Sequence, residues 1–256
     1  AGASAGSRSR QGERIVSGRV RAFGKRYGEL AKTVHGMKMV RLMPPQHLLE
    51  IKRAFDKYGP TQPTAYKINA KLVPDEIAII DEKGQMTQRE VHEFTNQLAY
   101  ALADQGVGEG SRVAILCRNS RYFIEAFVAT LKLGADGLLL NTAFAGPQLM
   151  QVIEDQNADA VILDEEYYET LKDAIGNRPA FIGWYDDESS APLVTLERLR
   201  EGQSTEEPAQ PSRTGRTIIL TSGTTGKPKG AARAEPKGLK DLLAVASTIP
   251  YRRSDR

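Results

Sequence analysis

The sequence predicts an α/β fold built of mostly parallel sheets flanked by helices. Three observations carry that reading. Short apolar segments recur at Ile77–Asp81, Val113–Cys117, Gly137–Leu140, Ala160–Leu163 and Ala180–Trp184. Segments with helical periodicity, roughly ten to sixteen residues long, separate most of them, and strands alternating with helices imply right-handed βαβ units. The strands from Val113 onward are apolar at consecutive positions, the pattern of strands covered on both faces. No internal repeat interrupts this order.

Residues 1–13 are rich in Ala, Gly, Ser and Arg and are expected to be disordered. From Ile15 to Met37 apolar residues fall at steps of three and four (Val16, Val20, Phe23, Tyr27, Leu30, Val34), with lysines and arginines around them. That spacing predicts a cationic amphipathic helix over 15–43, stopped by Pro44 and Pro45. Residues 56–73, with Gly59, Pro60 and Pro63, read as a loop. Ile77–Asp81 then opens a hairpin that turns at Glu82–Gly84. Thr87 and Glu90 form a T-x-x-E capping box, and Val91, Phe94, Leu98 and Leu102 give the helix after it a buried stripe that ends at Gly106. Asn119 or Ser120 is the N-cap of a helix from Arg121, with Phe123, Phe127 and Leu131 facing in and Gly134 closing it. Pro147 suits a first helical turn, and Leu149, Val152 and Ile153 supply the next inward face. Glu165–Ile175 is a further helix. Residues 186–215 lack periodicity and read as a solvated connector, and 236–248 read as helical behind Pro236.

The chemistry is written at Thr217–Gly230, T-I-I-L-T-S-G-T-T-G-K-P-K-G. A short buried strand, Thr217–Leu220, runs into Thr221, Ser222, Gly223, Thr224, Thr225 and Gly226, then Lys227, Pro228, Lys229 and Gly230. Such a loop suits a polyphosphate. Glycines let backbone N–H groups approach an anion, hydroxyls donate to phosphate oxygens, and lysine adds charge. The Walker pattern G-x-x-x-x-G-K-[ST] does not fit. Thr221 stands where its first glycine belongs, and Pro228 replaces the hydroxyl residue after the lysine. A Gly/Thr-rich surface turn is the plain alternative, but six such residues after an apolar strand, followed by K-P-K-G, exceed what turns require.

T-S-G-T-T-G-K-P-K-G at 221–230 resembles the phosphate-binding motif of the adenylate-forming (AMP-binding) enzymes: acyl-CoA synthetases, peptide-synthetase adenylation domains and luciferases. P-D-E-I-A-I-I-D at 74–81 with M-T-Q-R-E-V at 86–91, and L-K-L-G-A-D-G-L-L-L-N at 131–141, are similar to stretches of the same family. L-N-T-A-F-A-G-P-Q-L at 140–149 and D-E-E-Y at 164–167 look most like its fatty-acyl-CoA synthetases. The likeness covers about residues 45–250. It implies the N-terminal part of the large domain of such an enzyme: 1–44 as a basic N-terminal segment, 45–256 as a truncated AMP-binding domain. It further implies ATP with Mg²⁺, CoA and a fatty acid as ligands. Thr221, Ser222, Thr224 and Thr225 would donate hydroxyls, Gly223, Gly226 and Gly230 would admit the backbone, and Lys229 and Lys227 would supply charge. The later motifs that hold ribose and carry the catalytic lysine are not in this sequence, so the polypeptide is expected to be inactive alone and no catalytic residue is assigned. Arg233, Ala234 and Glu235 stand where the family often has Thr-His, so the acyl pocket is left unassigned. Another adenylate former, or a non-catalytic nucleotide- or membrane-binding remnant, are the competing readings.

Composition bounds the rest. Charged residues are 26% and hydrophobic ones 40% of the chain, as in soluble globular proteins. A single cysteine, Cys117, rules out an intrachain disulfide and reads as a core thiol. His35, His47 and His92 show no metal-ligand spacing and read as incidental. No apolar run approaches the ~18 residues of a membrane span, and the N-terminus has no secretory signal pattern. A cytoplasmic location is the expectation. Residues 1–60 hold 13 Lys and Arg against 4 Asp and Glu, a net +9, while the remainder is at −6. This asymmetry asks for an anionic partner. With no nucleic-acid module recognisable, the candidate is an anionic membrane surface met peripherally by residues 15–43. The competing reading packs that helix on the protein's own core.

Overall fold

A computed structural model describes residues 45–222 and 228–232. The expected helices at 15–43 and 236–248, the expected disorder of 1–13 and the positions Gly223–Lys227 lie outside the described residues. The described residues from Gln46 onward belong to one compact unit.

Helix α1 spans Pro45–Tyr58 and α2 spans Gln62–Leu72. The loop expected over 56–73 is therefore wrong for most of its length. Pro63 starts α2 rather than preventing it, because its missing N–H falls in the unbonded first turn. The stripe α2 buries is Pro63, Thr64 and Lys67. A stripe that polar leaves no apolar period in the sequence.

Strands β1 (Ile77–Asp81) and β2 (Gly84–Thr87) form the expected antiparallel hairpin. The capping box closes as read: Glu90 N donates to Thr87 Oγ1 at 3.2 Å, and Thr87 N to Glu90 Oε2 at 2.7 Å. Helix α3 (Gln88–Asp104) follows, burying Val91, Leu98 and Leu102, while Phe94, expected in the same stripe, is only partly buried and lies under the Arg200 guanidinium. Ser120 holds the N-cap position of α4 (Arg121–Lys132), but its side chain makes no capping bond.

The main sheet has the order β6-β5-β3-β4-β7-β8. Its strands are β3 (Arg112–Leu116), β4 (Asp136–Leu139), β5 (Ala160–Leu163), β6 (Ala180–Ile182), β7 (Thr217–Ser222) and β8 (Pro228–Ala232). The first five are parallel and β8 runs antiparallel to β7. Val113 lies opposite Gly137 on one side and Ala160 on the other. Residues 113–116 and 160–163 are almost wholly excluded from solvent, as consecutive apolar positions require. Helix α5 (Gly146–Asp155) connects β4 to β5. A 3₁₀ turn at Glu165–Tyr167 and α6 (Tyr168–Ile175) connect β5 to β6. The chain moves one way from β3 to β4 and the other way from β4 to β5 and β6. Right-handed crossovers then place α4 on one face and α5 and α6 on the other. Accordingly α2, α3 and α4 contact one another, and α5 contacts α6.

The connector over 186–215 is not simply solvated. It contains α7 (Leu196–Arg200), which packs on α3, and its later half is hydrogen-bonded along α3. Arg200 Nη1 donates to Glu125 Oε2, and the Glu125 side chain is fully buried on α4. Burial pushes the Glu125 carboxyl up to about 7; Arg200 opposes this and Glu197 adds to it. A carboxyl whose folded pKa lies above its unfolded one favours the folded state when protonated. That stability is present at acid pH and lost as pH rises from about 4.5 to about 7. Glu125→Gln should therefore gain on the wild type between pH 5 and pH 8, by up to about 3 kcal/mol, in urea melts at the two pH values. A pH-independent difference would refute the assignment.

Candidate nucleotide-binding site

Strand β7 pairs in parallel with β4, Thr217 opposite Gly137 and Ile219 opposite Leu139. The C-terminal end of β7 thus lies on the same sheet edge as those of β3, β5 and β6. Open α/β sheets bind ligands at that edge. Thr221 and Ser222 end β7, and Lys229 and Gly230 lie on β8. The pairing sets Thr221 opposite Lys229, Ser222 opposite Pro228 and Leu220 opposite Gly230. These four candidate residues are brought together on one strand pair. The other five, Gly223, Thr224, Thr225, Gly226 and Lys227, lie outside the described residues.

The start of β7 is fixed by Asp136, the first residue of β4, which is almost fully buried. Its carboxylate accepts from Arg213 Nη2 at 2.6 Å, from Arg216 N at 2.9 Å and from Arg216 Nη2 at 2.7 Å. Burial alone would raise its pKa. The hydrogen bonds from Arg216 and the charges of both arginines outweigh burial and hold it below the usual carboxylate range. Gly137 N donates to Arg216 O at 2.9 Å, continuing the anchorage along the backbone.

The same edge carries a cleft of about 430 Å³ over β3, β5 and β6. Connections leaving β3 and β5 go to opposite faces, so the cleft lies at a point where the sheet's topology switches. Two strand spacings, ~10 Å, separate β3 from β7. Arg118, Trp184, Tyr185 and Ser190 line it, together with carboxylates from Asp164, Glu165, Glu166, Asp186 and Asp187. Most of those carboxylates already have protein partners. Asp164, fully buried, accepts from Arg118 N at 2.7 Å and from Trp184 N at 2.8 Å, stapling three strand ends together. Burial raises its pKa against those two bonds. Gly183 must be glycine for this staple, since a Cβ there would lie 2.9 Å from Asp164 Oδ1 and 3.2 Å from Cys117 Sγ. Cys117 is the expected core thiol, pushed up by burial and then by Asp164. Glu165 accepts from Asp186 N, Asp187 from Ser189 N, and Glu166 pairs with Arg118. The Lys83 ammonium stands 3.7 Å from the Tyr185 ring centre. Among the described residues no group of His, Cys, Asp and Glu could hold a metal ion, and no helix is long and apolar enough to cross a membrane.

Of the residues that support the site, the sequence reading reached only Asp136, inside the stretch 131–141, and without a role. Arg213 and Glu207 fell in the segment 186–215 read as a solvated connector, and Arg216 stands between that segment and the strand read from Thr217. His92, read as incidental, is buried on α3 and faces Glu207.

An open, mostly parallel α/β sheet with a hydroxyl- and glycine-rich segment leaving one strand's C-terminal end defines a nucleotide-binding class of protein. The chain belongs to the AMP-binding enzyme family, whose model matches residues 66–247. It is 36% identical to a 2-succinylbenzoate–CoA ligase of Geobacillus sp., over 63% of this chain and 30% of that protein. It is 32% identical to tyrocidine synthase 2 of Brevibacillus parabrevis, over 69% of this chain and 4% of that protein. Among solved structures it resembles a Mycobacterium tuberculosis fatty acyl CoA synthetase, with 28% identity and a TM-score of 0.56, covering 68% of this chain and 34% of the other. The chain spans about a third of the length of the 2-succinylbenzoate–CoA ligases it matches.

Proposed function

We propose that this chain is the ATP-phosphate-binding part of an acyl-CoA ligase that works through an acyl-adenylate. The observation that carries the reading is T-S-G-T-T-G-K-P-K-G at the C-terminal end of β7, within the family match over 66–247. In the first step a carboxylate oxygen bonds to the α-phosphorus of ATP and the bond to pyrophosphate breaks. In the second the CoA thiol displaces AMP from the acyl carbon. Negative charge builds on pyrophosphate in the first step, and donors already aimed at it lower the barrier most. That work falls to the hydroxyls of Thr221, Ser222, Thr224 and Thr225, to backbone N–H groups admitted by Gly223, Gly226 and Gly230, and to the charges of Lys229 and Lys227. Mg²⁺ enters with the nucleotide.

The acid is a fatty acid on the likeness of 140–149 and 164–167, and an aromatic acid on the likeness to 2-succinylbenzoate–CoA ligases. AMP release by the full-length protein with each acid class separates the two.

The phosphate-loop assignment is tested on the chain itself. By calorimetry MgATP should bind with an affinity near 1 mM, about 4 kcal/mol. Lys229→Ala should weaken that about tenfold or more, as one charge-assisted bond is worth ~1.5–3 kcal/mol. Unchanged affinity in Lys229→Ala, or none in the wild type, defeats the assignment.

A further inference from the structure

The middle of the segment that leads into β7 is anchored by a carboxylate that the phosphate-loop reading does not use. Glu207 Oε2 accepts from Lys57 Nζ on α1 at 2.9 Å and from Lys67 Nζ on α2 at 2.5 Å, and His92 Nε2 on α3 stands 3.4 Å from Oε1. Three helices thus converge on a single carboxylate 140 and 150 residues from its lysines. Burial would raise the pKa of Glu207; the His92, Lys67 and Lys57 contacts outweigh it and hold it far below the usual range. His92 itself is pushed down, by burial first, and so stays neutral at pH 7. The remaining charge facing this pocket is Lys132 on α4, wholly buried and also pushed down by burial.

The backbone on either side of Glu207 is tied down as well. Asn96 Nδ2 donates to Thr205 O at 2.8 Å, Gln97 Nε2 to Gln203 O at 3.1 Å, and Tyr100 OH to Glu207 O at 3.3 Å. The Asn96 amide is oriented for this from behind, because Lys132 Nζ donates to Asn96 Oδ1 at 2.5 Å and to Thr95 Oγ1 at 2.7 Å. A lysine can only donate, so the Asn96 oxygen must face it and the amide nitrogen must face the connector. Further on, Gln210 Nε2 donates to Asp56 O, Ser212 N to Glu109 Oε1, and Arg213 and Arg216 to Asp136. Every few residues from 203 to 216 the connector is held to α1, α2, α3, Glu109 in the loop before β3, or the start of β4.

We propose that residues 203–216 are a strap that positions β7, and that Glu207, as the ionic anchor of its middle, is a positioning residue for nucleotide binding at Thr221–Gly230. The inference rests on the ATP-binding reading above. Hydrogen bonds from neutral side chains hold the strap to one face of α3. Among the described residues Glu207 makes the strap's charged contacts with α1 and α2, beside the neutral Gln210 bond to Asp56 O on α1, so loss of that charge loosens the middle of the strap and, through Arg213 and Arg216, the start of β7. Glu207 touches no nucleotide in this scheme; it acts through β7.

The experiment compares the wild type, Glu207→Gln and, as a control, Glu206→Gln, whose residue is exposed beside the anchor. Amide hydrogen exchange over 203–222 and MgATP affinity by calorimetry are the two readouts, with the circular dichroism of each variant checked for retained fold. In Glu207→Gln exchange over 203–222 should rise about tenfold, as loss of a partly exposed charge-assisted contact allows. ATP affinity should fall about 2- to 30-fold, the range of couplings carried by residues outside a site. Glu206→Gln should match the wild type. Unchanged exchange over 217–222 in Glu207→Gln overturns the strap. Raised exchange with unchanged ATP affinity overturns the positioning role. A wild type that binds no ATP removes the positioning role along with the ATP reading, while the exchange readout still decides the strap alone. Lys57→Gln, which removes one lysine and keeps the carboxylate, should shift exchange in the same direction by less, and no shift there overturns the strap should Glu207→Gln lose its fold.

Discussion

Arg121→Ala should destabilise this protein by about 3–5 kcal/mol, the usual cost of breaking a buried ion pair from one side. Arg121 Nε donates to both carboxylate oxygens of Asp81, at 3.0 and 2.9 Å, and Nη2 to Oδ1 at 2.6 Å. Nη2 also reaches Gly84 O at 3.1 Å. The pair joins the β1–β2 hairpin to the first turn of α4. The side chains are only 12% and 4% exposed, so neither is rescued by water. Removing the guanidinium leaves Asp81 with two backbone donors, Arg121 N and Lys83 N. In the wild type burial tends to raise the Asp81 pKa, and the Arg121 hydrogen bonds and charge outweigh it, so the net shift is downward. A lowered carboxyl contributes stability above its unfolded pKa and loses it as pH falls through the folded value. Without the Arg121 side chain only the two backbone donors oppose burial, so the downward shift is weakened. The gap between variant and wild type should therefore widen as pH rises from 3 to 6. Adding Asp81→Asn to Arg121→Ala should recover part of the loss by removing the stranded charge. Arg121→Lys should recover little, since a point charge cannot bond both oxygens in one plane. Urea melts of the four proteins measure this, and a loss below about 1 kcal/mol in Arg121→Ala would mean that the pair is not isolated from solvent.

Gly215→Ala should be the most damaging change of a single methyl group in the described residues. An added Cβ would lie 2.1 Å from Ala135 O, with Leu131 Cδ2 at 3.0 Å and Ala135 C at 3.2 Å. The closest atom is backbone, so no rotamer change relieves the clash. Ala135 cannot yield easily, because it lies between Gly134, at φ +69° with its own Cβ site blocked, and the anchored Asp136. The strain must be released by moving the start of β7 away from β4. Overpacking costs ~1–3 kcal/mol where side chains can shift; against backbone the loss should reach or exceed the top of that range. Gly108→Ala, where nothing stands within 4 Å of the new methyl group, should change stability by no more than about 1 kcal/mol. Thermal melts of the two variants decide the point, and comparable Tm values would show that β7 can slide on β4 at little cost.

The parts of this protein that its sequence determined by itself are those written in neighbouring residues. The apolar runs of β3 and β5, the stripe Val91, Leu98 and Leu102, the capping box of Thr87 and Glu90, and the glycines behind α3 and α4 are all local signals. They hold because burial, capping and turn preference act over one to four residues. The T-S-G-T-T-G-K-P-K-G segment is legible for the same reason, since a polyphosphate needs its donors from a continuous stretch of backbone. The tertiary structure decided what depends on distant partners. Helix α2 could not be read because the face it buries, Pro63, Thr64 and Lys67, carries no apolar period: Thr64 donates to Ala54 O and Gly59 O, and Lys67 to the distant Glu207. Lys132 ends an apparently ordinary helix, yet its ammonium is wholly buried among Thr95, Asn96 and His92 on α3. Asp136 and Arg216 are 80 residues apart, and neither position marks itself as half of a buried pair. Ion pairs of this kind join segments through space. Their energy comes from mutual exclusion of water, and only the folded chain brings that about.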